Sequence, residues 1–310
     1  MRGGIVAVAT LIAVSVAPTP AQATWSGRNG QIAWATPGDG DEVGRVVLAT
    51  TGSSGPQVLY ACPNSTMPGC RVRLREGPVW SPDGRRFAVS FGTQIAIADA
   101  DGTNWQVVPR QTRGDRSPAW SPDGQRLAFV GSRGPDGSTT VDLYTVRVDG
   151  TDLKQLTFDQ AVTDMAWSSR GRIAYTVSPG RTFGNMRFGR LVTIDDDGTH
   201  RRVILSGDFP GRPDWSPDGR RLLFIRQDGP RSGLTLGRDS RRGLRVAGRG
   251  VSEALFSPDG KSILIDSSRP GDRRYALADL DGRRRKTLRL EFPPEWNDVY
   301  LQSWQPRPSR

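Results

Sequence analysis

The chain has 310 residues, with 43 Lys and Arg against 32 Asp and Glu, giving a formal net charge of +11. Its single histidine excludes multi-histidine metal sites, and its length suffices for one large repeat domain. The 37 glycines and 23 prolines stand at regular turn positions rather than in low-complexity tracts, which separates punctuated β-structure from disorder.

Residues 1–23 read as an export signal: Arg2 supplies the positive start, Ile5 to Ala17 an apolar run, and Ala21-Gln22-Ala23 a small-x-small cleavage site. The apolar run is shorter than the ~20 residues a membrane-spanning helix needs, and no other stretch approaches that length. The mature chain is therefore expected to be residues 24–310, exported and without a transmembrane span. Gly30-Gln31-Ile32-Ala33-Trp34-Ala35 reads as a strand. Cys62 and Cys70, the only cysteines, flank a short loop, and in an exported protein they are expected to pair as a disulfide.

The rest of the chain is organised by one repeated stretch. Val79-Trp80-Ser81-Pro82-Asp83-Gly84, followed by Arg86-Phe87-Ala88-Val89, returns as Ala119-Trp120-Ser121-Pro122-Asp123-Gly124, as Trp215-Ser216-Pro217-Asp218-Gly219, and with phenylalanine as Phe256-Ser257-Pro258-Asp259-Gly260. Trp167-Ser168-Ser169-Arg170-Gly171 is a degraded copy, and Trp304-Gln305-Pro306 a truncated one. Anchors at 80, 120, 167, 215, 256 and 304 set a period of 40 to 48 residues, the mark of a repeat architecture.

The motif is a hairpin written in turn chemistry. Proline presets φ near −65°, aspartate bonds back to its own turn, and glycine takes positive φ. A second signature follows each anchor in Asp101-Gly102-Thr103, Asp149-Gly150-Thr151, Asp197-Gly198-Thr199 and Asp281-Gly282-Arg283, and Asp-Gly between apolar runs is a strong hairpin marker. Four antiparallel strands per repeat, six times, predict an all-β six-bladed β-propeller. The C-terminal Leu301–Pro306 has an inner strand with nothing after its turn, and Gly30–Ala35 has a second strand with nothing before it. The two chain ends are expected to share one blade. Trp80, Trp120, Trp167, Trp215, Phe256 and Trp304 are expected to pack between blades, because no single ligand needs six equivalent aromatics.

These residues and their order resemble the TolB-like (WD40-like, PD40) β-propeller repeat, over nearly all of the mature chain. TolB itself is a periplasmic component of an envelope protein-interaction system, with an α/β domain ahead of its propeller. This chain is expected to be a lone propeller without that domain. The resemblance implies a fold and a habit of binding partners at the propeller face, and it identifies no partner.

The search for catalytic groups is negative. A Ser-His-Asp triad could be built only on His200, which sits beside an Asp-Gly turn and reads as a solvated edge residue. No nucleophile elbow or phosphate-cradling glycine loop occurs. Asp39-Gly40-Asp41-Glu42 and Asp195-Asp196-Asp197 lack the spacing of a calcium loop and read as solvated carboxylates. No catalytic residue, metal or cofactor is expected.

Binding is expected in two places. The residues just before the anchors set the mouth of the central channel: Glu76, Arg116, Asp164, Arg212, Asp214 and Glu253. Their mixed charge suits a polar peptide segment or a small polar ligand. The long second-turn loops form a variable face carrying Arg133, Arg181, Arg187, Arg226, Arg231, Arg269 and Arg273. The expected function is a non-catalytic, monomeric, extracytoplasmic scaffold for an envelope or secreted protein or peptide. Binding of an acidic glycan or anionic polymer is the alternative supported by the basic excess. A lyase or hydrolase would need two of Glu76, Asp164 and Glu253 close together in a deep pocket. Nucleic acid is not expected, since the loops lack aromatic interleaving.

Overall fold

The computed structural model describes residues 28–36, 45–49, 57–61, 78–91, 94–109, 114–132, 140–178, 189–207, 210–226, 233–237, 244–247, 250–267, 274–283, 285–288 and 300–307. The expected export signal, the cysteine pair and the acidic stretch at 39–42 lie outside these residues.

Every described element is a strand. The first sheet contains β1 (Arg28–Thr36), β2 (Arg45–Ala49) and β3 (Gln57–Ala61). The second contains β4 (Val79–Trp80), β5 (Arg86–Phe91), β6 (Gln94–Asp99) and β7 (Gln106–Val107), and the third β8 (Arg116–Trp120), β9 (Arg126–Ser132), β10 (Val141–Arg147) and β11 (Lys154–Gln155). The fourth contains β12 (Val162–Trp167), β13 (Arg172–Val177), β14 (Arg190–Asp195) and β15 (Arg202–Ser206). The fifth contains β16 (Gly211–Trp215), β17 (Leu222–Arg226), β18 (Gly233–Gly237) and β19 (Leu244–Ala247), and the sixth β20 (Glu253–Phe256), β21 (Ser262–Asp266), β22 (Tyr275–Asp279) and β23 (Arg285–Leu288). The last strand, β24 (Tyr300–Arg307), returns to the first sheet and completes its order as β24-β1-β2-β3. Each sheet is a four-stranded antiparallel meander in sequence order, apart from that return. The molecule is an all-β propeller with blades of four antiparallel strands.

The first turn shows why the repeated motif recurs. Ser81 Oγ donates to Asp83 Oδ1 at 2.6 Å and accepts from Arg86 N–H at 3.0 Å, while Asp83 Oδ1 accepts from Arg85 N–H at 3.1 Å. Gly84 closes the turn at φ 67°, its N–H donating to Ser81 O at 2.9 Å. The same bonds recur at Ser121/Asp123, Ser216/Asp218 and Ser257/Asp259. In the degraded copy Ser168 N–H reaches Arg172 O, so this turn closes one residue earlier.

Burial follows the pattern of the sequence. Trp80, Trp120, Trp167, Trp215, Phe256 and Trp304 are each no more than 3% exposed. The indole N–H of Trp120 donates to Val79 O of the preceding blade at 3.0 Å, and that of Trp215 to Ala166 O at 3.2 Å. Apolar clusters span adjacent blades: one joins Leu223, Leu234 and Ala254 to Phe256 and Ile263. Successive sheets touch through their inner strands, and β20 of the sixth touches β24 of the first. Ser303 Oγ donates to Pro78 O at 2.6 Å and Gln305 Nε2 to Gly84 O at 2.9 Å, tying the first blade to the second.

Candidate functional site

The first strands of three blades are irregular. β8, β12 and β16 each carry a register shift two to four residues before their tryptophan, between Arg116 and Ala119, Val162 and Met165, and Gly211 and Asp214. Ser117 and Arg212 sit there at φ 55° and 54°, each directly before a proline. Positive φ is costly for a residue with a side chain, and a following proline disfavours helical backbone further, by about 1–3 kcal/mol for such a strained site. Adjacent blades hold the conformation in place: Ser117 N–H donates to Ser90 Oγ at 3.0 Å.

Counting back three residues from the anchor reaches Asp164 in β12, Arg212 in β16 and Glu253 in β20, so one repeat position carries alternating charge in three successive blades. Arg212 is the centre of the row. Its Nη1 lies 2.7 Å from Glu253 Oε1, with side chains only 11% and 4% exposed, and it also donates to Ser252 O. Asp164 flanks Arg212 on the other side. Burial pushes its pKa up, against the charge and backbone N–H of Arg212, the Thr176 hydroxyl and the charge of Arg116. Thr176 Oγ1 lies 3.3 Å from Asp164 Oδ2 and 2.7 Å from Thr163 Oγ1. Arg116, Asp164, Arg212 and Glu253 thus make a row of alternating sign.

The remaining candidate residues fall elsewhere. Asp214, one residue before its tryptophan, is buried, and its Oδ2 accepts from Phe256 N–H at 2.7 Å. It ties the fifth blade to the sixth. Arg226 is half-buried at the end of β17. Glu76, Arg133, Arg181, Arg187, Arg231, Arg269, Arg273, Cys62 and Cys70 lie outside the described residues. His200 has an 81% exposed side chain with Nδ1 2.9 Å from Asp195 Oδ2. Asp197 Oδ1 takes both the N–H and the hydroxyl of Thr199, closing its own turn.

Several polar groups carry no mark in the sequence. Asp115, beside Arg116, is fully buried. Asp159, in the connection between the third and fourth blades, gathers Tyr175 OH at 2.9 Å, Arg201 Nη2 at 2.9 Å and Arg190 Nη2 at 3.5 Å. Burial and Asp159 push the Tyr175 phenol well above its ordinary range. The residues of this cluster come from two connections and two strands, so no local motif could have marked them.

The fold and the repeat define a β-propeller of the kind that carries Ser-Pro-Asp-Gly turns. The chain belongs to the PD40 family, the TolB beta propeller domain, which matches residues 72–299. Among solved structures it is similar to TolB from Acinetobacter baumannii, at a TM-score of 0.70 and 18% identity over 90% of this chain and 67% of that one. It is similar to a chain of a nidogen/laminin complex, at 0.64 and 14% over 87% and 96%. It is also similar to an oligogalacturonate lyase in complex with manganese, at 0.59 and 14% over 86% and 77%. Identities this low show the fold alone. No curated protein matches the sequence.

Proposed function

We propose that this chain is a non-catalytic scaffold that binds a protein or peptide segment at the mouth of its central channel. The observation that carries the reading is the alternating row Arg116, Asp164, Arg212 and Glu253, three or four residues before the anchors of four successive blades. A row of both signs on a rigid bulged backbone suits a polar segment presenting paired charges and amide groups. The family supports a binding role, since TolB-like propellers serve as protein-binding scaffolds. The carboxylates do not form an acid–base pair: Glu253 is held by Arg212, which stands between it and Asp164. The arginine loops of the second-turn face would extend the same interface.

The wider reading is of six sheets as six blades of one closed ring, residues 24–310, released from an export signal at 1–23 into the periplasm or the cell exterior as a monomer. The contacts between first and last sheets and the composition of residues 1–23 support it. A Cys62–Cys70 disulfide would fit that compartment.

The test is a pull-down from envelope extract at low and high salt with the wild type, Arg116→Glu and Asp164→Asn. Retention of a discrete protein at both salt concentrations, lost with Arg116→Glu, is the expected result. Retention of anionic polymer only at low salt would replace it with glycan binding, for which the net charge of +11 speaks. Equal retention by all three proteins would remove the channel mouth as the site.

A further inference from the structure

The connection between the third and fourth blades is pinned on both sides of one aromatic ring. Leu156 N–H donates to Leu143 O at 2.8 Å, and Thr157 Oγ1 donates to Asp142 Oδ1 at 3.0 Å while accepting from Leu143 N–H at 3.0 Å. Gln160 N–H reaches the same Asp142 oxygen at 3.1 Å. Asp159 is held from the fourth blade by Tyr175, Arg201 and Arg190. Between these fixed points Phe158 stands 78% exposed.

The fold does not demand an aromatic there. Two residues beyond the last backbone pairing of the outer strand, the other repeats carry Arg110, Gly207, Arg249 and Leu290 in the second, fourth, fifth and sixth blades. Among the described residues no other large apolar side chain is more than 44% exposed. A ring fixed by its own backbone loses little further freedom on binding, and aromatic side chains beside arginines carry much of the energy of protein interfaces.

The surroundings of the ring indicate what would cover it. Arg190 and Arg201 share the single carboxylate of Asp159, which is 12% exposed, while both of their side chains are 39% exposed. Asp142 is buried and closed over by Thr157, so the charge presented to solvent beside Phe158 is that of the two guanidiniums. Arg201 spends Nε on Tyr175 OH and Nη2 on Asp159, and Arg190 spends Nη2, which leaves donors on both for a second carboxylate. The adjoining β15 is the free edge of its sheet, and Val203, two residues on from Arg201, is 36% exposed along it. An open edge offers backbone donors and acceptors at the spacing of an extended polypeptide, which a glycan cannot match.

We propose that Phe158, Arg190 and Arg201 form a docking surface for an extended segment of a partner protein that carries a carboxylate next to apolar side chains. The apolar side chains cover Phe158 and Val203, the carboxylate takes the spare guanidinium donors, and the backbone lies along β15. This surface belongs to the outer half of the fourth blade, whereas the row of alternating charge lies on the inner strands, so the proposal is independent of the channel reading.

The test is an NMR titration of the full chain with acetyl-Thr-Leu-Thr-Glu-Thr-Leu-Thr-amide, whose leucines and glutamate share one face when extended, and with the same peptide carrying glutamine for glutamate. The wild type is compared with Phe158→Ser, whose unchanged near-ultraviolet circular dichroism spectrum shows that it folds, and with Arg116→Glu. The expected result is saturable shifts at the amides of Phe158, Gln160 and Val203. Affinity should fall roughly tenfold for the glutamine peptide and for Phe158→Ser, and stay unchanged in Arg116→Glu. Equal affinity for the two peptides, binding unchanged in Phe158→Ser, or no shifts at millimolar peptide would each overturn the proposal. Loss of binding in Arg116→Glu would move the contact to the inner strands, and tighter binding of digalacturonate at the same amides would assign the surface to an acidic glycan; either result also overturns it.

Discussion

Trp120 and Trp215 each bury an indole and also spend its N–H on the carbonyl before the preceding blade's tryptophan. Trp80 and Trp167 are equally buried, but among the described residues their Nε1 atoms have no partner. Replacement by phenylalanine should separate the pairs. Trp120→Phe and Trp215→Phe lose volume and leave a buried carbonyl unmatched, whereas Trp80→Phe and Trp167→Phe remove a polar atom that was already unmatched. The first pair should lose about 1 kcal/mol more stability than the second, read as urea midpoints. Equal losses would mean that the indole bonds contribute nothing net.

At the starts of the inner strands the residue to follow is Asp164. Burial raises its folded-state pKa above the unfolded value, so the folded protein keeps a proton that the unfolded chain has lost. Its contribution is most favourable below the unfolded value and declines as pH rises through the folded one. Asp164→Asn should therefore gain stability relative to the wild type between about pH 4 and neutrality, and a pH-independent difference would refute this. The sequence showed charged residues gathering before the anchors, but not which would face one another. Asp164 and Asp214 both precede a tryptophan, by three residues and by one. The shift in register puts the first beside Arg212 and seats the second beneath Phe256 N–H. Neither Ser117 nor Arg212 advertises positive φ, so the shift itself was hidden.

Among the elements, the Ser-Pro-Asp-Gly turn was the most legible, because each residue in it answers a local demand of backbone geometry. The matched glycines Gly84 and Gly124 both have φ 67°, yet their surroundings differ. A Cβ on Gly124 would meet nothing closer than 3.8 Å, whereas one on Gly84 would lie 2.0 Å from Pro306 O. Gly124→Ala should lose about 1 kcal/mol from backbone strain alone, and Gly84→Ala clearly more, by displacing β24. Thermal unfolding of the two variants checks this, and the expectation fails if they match. The aspartates of these turns also set an acid limit. Burial acts to raise the pKa values of Asp83, Asp123 and Asp218, but the serine hydroxyl, the backbone N–H and nearby arginines outweigh it and the net shift is downward. Their stabilisation is present above the ordinary carboxylate range and is lost as pH falls through the depressed values. The degraded turn at Ser168 was legible as a copy, but its pairing with Asp196 was not. The two lie 28 residues apart in sequence, and only the sheet places one over the other.

For the whole molecule the question is what closure contributes. In an open stack of repeats each unit contacts its neighbours and the terminal units lack one interface. Here β24 supplies the inner strand of the first blade, pairing Ile32 with Trp304 and Ala35 with Tyr300, and also touches β4 and β20. Removing it deletes the buried side chains of Leu301, Ser303, Trp304 and Gln305 and exposes the edge of β1. Truncation of Trp304 alone to alanine should cost about 3–5 kcal/mol. Removing residues 300–310 should cost more and broaden the transition, because both blades beside the gap lose a packed face. A synthetic peptide of residues 300–307 added to that truncated chain should restore the unfolding temperature in a concentration-dependent way, since its hydrogen bonds and its indole pocket are fixed by the remaining strands. A peptide carrying alanine for Trp304 should restore far less. If the truncated chain unfolded at the wild-type temperature, or if both peptides acted equally, the first and last sheets would be neighbours without being a clasp, and the stability of the ring would have to come from its other interfaces.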